Sequence, residues 1–297
     1  ILDHAAPLAA LGTAVASGAG QLFPAPPAHR TTVYSPQAWF GAGEFFAANP
    51  PPGAELTYYL TADPKGQATI EVSDASGTPV RSFRAPAAAG LNRAYWDLHY
   101  DAAAEAPAGG RGGAAAGPWA QPGTYKVALT APGEAPLAGQ ITVTADPESP
   151  LTTPAERQQR ARAVMSAYEL ERQLAPAQAT ASTLALQLAA MRAYATALGP
   201  GGGKALAAVE EGLRQFSPAQ AAVLRALAEA AGVERAMDAY EGLPTAAQLR
   251  QLGWAWEDGV AAAAGLNQFL AHTLPGVHAT LGQAHWTAPA PVAVPKR

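Results

Sequence analysis

Near Pro150 the hydrophobic pattern of this chain changes period, from two residues to three and a half, and few single folds accommodate both. Before it lie short runs rich in Thr, Tyr, Val and Leu: Leu56–Leu60, Ala68–Val72, Tyr95–Leu98, Tyr125–Leu129 and Gln140–Val143. Turn residues bound them, such as Asp63-Pro64-Lys65-Gly66, Asp74-Ala75-Ser76-Gly77 and Gln121-Pro122-Gly123. Short strands at this spacing predict an antiparallel β-sandwich. Ile70, Val72, Val127 and Leu129 should face inward, with Glu71 and Ala128 facing away. After Pro150, Leu170, Leu174, Ala177, Ala181, Leu184, Leu188, Met191, Ala195 and Leu198 recur at four-three spacing. That is a helical seam.

The helical half has readable boundaries. Thr152-Thr153-Pro154-Ala155-Glu156 offers a capping hydroxyl, a first-turn Pro and an early acid. Pro176 should kink or divide the long helix that follows. Gly199–Gly203 should end it, with a shorter helix from Lys204 to Phe216 and another capped by Ser217-Pro218 that runs to about Ala231. A last long helix begins at Pro244-Thr245 and carries a second stripe: Leu249, Leu252, Trp256, Ala263, Leu266 and Leu270. The fold class is therefore α+β multidomain, a β-sandwich followed by an antiparallel α-helical bundle. A length of 297 residues fits two domains at roughly 150 residues each. Residues 18–53 are Pro-rich and irregular, and 102–117 are Ala, Gly and Pro, the composition of a flexible loop.

Composition excludes several functions. Without Cys there is no disulfide scaffold, Cys-ligated metal or thiol nucleophile. A net charge of −4 gives no basic stripe for nucleic acid. The Ala-rich stretch Val260–Leu270 is too short for a membrane span. His4, His29, His99, His272, His278 and His285 form no metal-binding spacing, so no metal site and no cofactor are expected. Gly109–Gly113 lacks the ending of a phosphate loop, and no nucleophile elbow occurs. No catalytic residue is assigned. A hydrolytic site would have to be built around Asp97 and His99, and Asp97 serves equally as the residue that fixes a turn after a buried Trp.

The aromatic residues carry the remaining signal. Trp39, Trp119 and Tyr58 would form a stacking platform for a sugar or peptide if exposed. Buried, they would anchor the linker on the sandwich.

Four landmarks in order resemble a known family: Asn49-Pro50-Pro51-Pro52-Gly53 leading into Ala54–Leu60, Ile70–Arg81, Ala89–Leu98, and Pro122-Gly123-Thr124-Tyr125-Lys126-Val127. They are similar to the immunoglobulin-like module at the C-terminal end of large bacterial secreted proteins with sortilin-like or BNR-repeat β-propellers, often labelled glycosyl hydrolases. A similar strand pattern occurs in the Ig-like domain of flagellar hook-capping proteins. Ile1–Leu8 resembles the segment leaving the last propeller blade, and Leu243–Gln248 resembles part of the terminal helical region. The start Ile1-Leu2-Asp3-His4 reads as the inside of a strand from something longer. The resemblance implies an exported chain, periplasmic or extracellular, with a propeller-exit strand and linker at 1–48, an Ig-like sandwich at 49–148, a helical bundle at 152–285 and an extended tail at 286–297. It implies a non-catalytic accessory role, packing on or presenting the propeller or a partner chain, within an oligomer or larger complex. The alternative is a carbohydrate- or peptide-binding module.

Overall fold

The computed structural model describes residues 5–30, 51–103, 116–146, 149–282 and 286–297. The chain divides into two compact units. One comprises residues 1–101 and 119–149, and the other 102–118 and 150–297. The class is α+β, with helices and two mostly antiparallel sheets.

The first unit opens with helix α1 (Ala6–Ser17), capped by left-handed Gly18. Pro7 and Leu8, the end of the segment that resembles a propeller exit, lie in this helix. Pro7 occupies a first-turn position where a missing N–H costs nothing, and the Ala-rich continuation favours helix. Residues Ile1 to His4, which read as the inside of a strand, lie outside the described residues. Strands follow as β1 (Gln21–Leu22), β2 (Ala28–His29), β3 (Ala54–Leu60), β4 (Ala68–Ser73), β5 (Pro79–Ala85), β6 (Gly90–Trp96), β7 (Gly123–Thr130) and β8 (Leu137–Thr144). One sheet has the order β1-β3-β6, the other β2-β8-β7-β4-β5. Both bury residues in one shared cluster: Leu56, Tyr58 and Trp96 from the first sheet, Ile70, Val127, Leu129 and Ile141 from the second. The alternation on β4 and β7 is as expected, with Ile70, Val72, Val127 and Leu129 at 2 % exposure or less.

Strand β5 escaped the sequence pattern. It is the outer strand of its sheet, carries Arg81 and Arg84, and begins with Pro79, where no ladder donor is required. The turn into β3 depends on Gly53. Its φ is +105°, and an added Cβ would sit 2.0 Å from the Trp96 carbonyl oxygen.

The second unit contains α2 (Pro154–Ala197), α3 (Gly203–Asp238), α4 (Ala246–Gln268) and α5 (Leu274–Thr280). A 3₁₀ turn at Gly199–Gly202 joins α2 to α3, and a π-helical segment, Phe269–Thr273, joins α4 to α5. Thr153 and Thr245 each close a capping box, with Glu156 and Gln248. The helices share one core.

Two expectations are corrected. Pro176 does not divide α2, which runs from Pro154 to Ala197 as one helix, and Ser217-Pro218 lies inside α3 rather than starting another helix. Both prolines are exposed, as are Arg172 and Arg214, whose carbonyls lose their i+4 donor. Water can satisfy those carbonyls while the buried residues on the other face hold each helix together through its proline. Where α4 meets α2 the approach is close, since a Cβ on Gly259 would lie 2.9 Å from Leu170 Cδ1.

Candidate functional site

The sequence candidates fall into different places. Trp39 lies outside the described residues. Tyr58 is at 0 % exposure in the β core and its hydroxyl donates to the Pro86 carbonyl. Burial pushes its pKa up to about 12. Its ring has no free face for a ligand. Trp119 is half-buried, and its carbons pack against the same core.

Trp119 belongs to a cluster where β6 ends. The β6 strand stops at Trp96, whose indole Nε1 donates to the His99 carbonyl at 2.9 Å. Asp97 then fixes the turn by accepting the His99 backbone N–H at 3.1 Å. Between them Leu98 adopts φ +61°, a left-handed conformation that costs about 1 kcal/mol for a side-chain-bearing residue. Its side chain is buried and its carbonyl accepts from Ala120 N at 2.7 Å, which holds it there. His99 bridges to Trp119, their rings 3.9 Å apart, and the Arg30 guanidinium lies 4.7 Å from the same indole. Arg81 on β5 binds Asp97 Oδ2 at 3.2 Å and Asp101 Oδ1 at 3.3 Å. Asp101 also accepts from Ser82 N.

These contacts consume the groups a hydrolytic site would need. His99 Nδ1 lies 2.9 Å from the Asp97 carbonyl oxygen, whereas the Asp97 carboxylate stays 4.0 Å from it. Asp97 thus orients a turn and an arginine rather than the imidazole.

The second unit holds a charged cluster on the helices. Arg160 of α2 reaches the C-terminal end of α3. Its Nε donates to Tyr240 O, and its Nη2 donates to Met237 O, Asp238 O and Asp238 Oδ1 at 3.0–3.2 Å. It satisfies carbonyls that the helix end leaves open and places positive charge at the negative end of the dipole. Glu234 is also buried. Burial raises its pKa to about 8, Asp238 and Glu171 add to the rise, and Arg235 and Arg160 oppose it. Burial raises Glu171 to about 7, against the pull of Arg235, and its Oε1 has no hydrogen-bond partner. These carboxyls can take up and release protons near neutral pH.

None of these four was singled out in the sequence, yet a signal was present. Arg160 continues the α2 seam backwards through Ala163 and Ala167, and Glu234 follows Ala230 on the seam of α3. Charge on an otherwise apolar seam marks a buried polar clamp.

No family model, curated protein or solved structure matches this chain. Its chemistry therefore rests on these two clusters and on the surfaces around them. Among the described residues, no group of three or more His, Asp and Glu could hold a metal ion, and no helix is long and apolar enough to cross a membrane.

Proposed function

We propose that this chain is an accessory interaction region: an Ig-like β-sandwich followed by an antiparallel helical bundle, belonging to an exported bacterial propeller protein and packing on the propeller or a partner chain. The observation that carries this reading is an open aromatic groove on the helices. Trp254 of α4 is 58 % exposed and lines, with Gly232, Val233, Ala255, Glu229 and Asp258, a groove of about 390 Å³. A large indole left in water beside small residues is the surface that a protein partner covers.

Support for the sandwich comes from the shared core and from Tyr125, whose hydroxyl donates to Gln121 O four residues upstream at 2.7 Å. That contact and buried Trp96 are features of Ig-like domains. Support for the bundle is the common core of α2, α3 and α4. Export and the propeller parent rest on the four sequence landmarks alone.

The test is to co-express the chain with a bacterial sortilin-like β-propeller and measure association by light scattering. A complex is expected, weakened at least tenfold by Trp254→Glu with helicity unchanged. If the chain stays monomeric beside that polypeptide, the reading fails.

A second reading, carbohydrate or peptide binding at Trp119, is favoured by the half-exposed indole in the cluster with Arg30 and His99. Calorimetric binding of a glycan or peptide that vanishes in Trp119→Ala would establish it. Binding unchanged by that substitution would exclude it.

A further inference from the structure

The segment 286–297 is extended, with no helix or strand of its own, and meets the helices every third residue. Val292 and Pro295 are buried, and Trp286 and Pro289 are partly buried. Thr287, Ala288, Pro291, Ala293 and Lys296 between them are exposed. A period of three is that of polyproline II, and Pro289, Pro291 and Pro295 favour that conformation.

The helices hold this segment by its main chain. Asn267 of α4 donates to Val292 O and accepts from Val292 N, both at 2.8 Å. Gln173 of α2 does the same to Lys296, at 3.0 and 2.7 Å. Gln187 donates to Thr287 O, and Trp286 packs its ring edge-on to Tyr194 at 6.3 Å. Arg297 donates to Gly253 O and approaches the ring of Trp256. Pro-rich segments in the polyproline II form dock in grooves that fit their preformed shape, and here two side-chain amides add paired bonds to the backbone. From this segment the helical core draws Val292 and, at its edge, Trp286, while most of its members come from the helices themselves.

We propose that the face of α2 and α4 beneath residues 286–297 is a polyproline II recognition groove, which this segment fills in cis and a second polypeptide of the same period fills in trans. The ligand chemistry follows from the contacts. It is an extended Pro-rich chain with an aromatic residue, then small apolar residues at third positions, and backbone N–H groups where Asn267 and Gln173 wait. This inference does not depend on the propeller reading.

The test uses the full chain carrying Val292→Asp, which weakens its own segment, and a fluorescent synthetic peptide with the sequence of residues 286–297. The peptide should bind this variant at least tenfold more tightly than the unaltered chain, whose groove is occupied. Adding Asn267→Ala, or inserting one Ala after Val292 in the peptide to break its period, should each weaken binding at least tenfold. Equal binding to both chains, binding to neither, or indifference to the broken period would overturn the proposal. So would loss of the helical signal in the Val292→Asp chain, because the segment would then be part of the fold and not a ligand.

Discussion

Each unit of this protein contains an arginine–aspartate pair at nearly the same distance, and the two pairs do different jobs. In the β unit, Arg81 and Asp97 meet at 3.2 Å with side chains 19 % and 43 % exposed. In the helical unit, Arg160 and Asp238 meet at 3.1 Å with 7 % and 10 % exposed. Water screens the first pair, so it contributes about 0–1 kcal/mol. The second is largely stripped of water, and losing the arginine would take the opposite charge from a buried carboxylate. The difference follows from how each core gains its shape. Strand register and large aromatic residues such as Trp96 and Tyr58 already define the β core. The helical seam is built largely from Ala and Leu, which define register less sharply, and there the buried Arg160 ties α2 to the end of α3.

The largest expected effect tests that contrast directly. Arg160→Ala removes four hydrogen bonds to the end of α3 and takes the guanidinium away from the buried Asp238 carboxylate, which should cost about 3 kcal/mol. Thermal melting followed at the helical circular dichroism band should shift down by many degrees. A shift within error would mean that the clamp holds nothing. In the β unit the matching weak point is backbone, not charge. Gly53→Ala sets a Cβ against the Trp96 carbonyl at positive φ and should cost about 2–3 kcal/mol. Denaturant unfolding followed by Trp fluorescence measures it, and a neutral result would show that the turn can reshape.

What the sequence disclosed has the same division. The α2 seam from Leu170 to Ala195 and the caps at Thr153 and Thr245 were legible, because periodicity and capping are local. Leu198, placed on that seam, is 45 % exposed, since α2 ends at Ala197 before it. Pro176 and Pro218 were misread because the missing N–H is visible in sequence, whereas the exposed face that makes it tolerable appears only once the seam is fixed in space. Strand β5 was hidden by its edge position and its arginines. At the candidate sites, the turn-fixing role of Asp97 was readable from its place after Trp96. The Arg30–Trp119–His99 stack joins residues distant in the chain, and no spacing rule announces it.

The next effect is smaller and depends on pH. Glu234 titrates near 8 in the folded chain, against about 4.5 when unfolded. Between those values the native state holds a proton that the unfolded state releases, so stability falls as pH rises through the window and levels off above it. Glu171, raised to about 7, acts with the same sign over the lower part. Glu234→Gln keeps the shape of the neutral form and cannot ionise. It should leave stability nearly unchanged near pH 5 and raise it by about 1–3 kcal/mol near pH 9. Chemical denaturation at the two pH values reads this directly. A gain that is the same at both would show that charge at Glu234 is not what the helices resist.

The smallest effect completes the pairing. Arg81→Ala removes the partly buried arginine that spans Asp97 and Asp101, yet both acids keep other partners. Asp97 still accepts the His99 N–H, and Asp101 still accepts Ser82 N and donates its own N–H to Val80 O. Neither carboxylate is left buried, because both are more than 40 % exposed. The expected loss is below about 1 kcal/mol, and added salt should shrink it further, since screening weakens exposed pairs. A double-mutant cycle with Asp101→Ala isolates the pair from the packing of the arginine stem. If the coupling instead approaches that of the Arg160–Asp238 pair and resists salt, then the rim of the β unit is as shielded from water as the helical interior. Burial would then no longer explain why the two pairs differ.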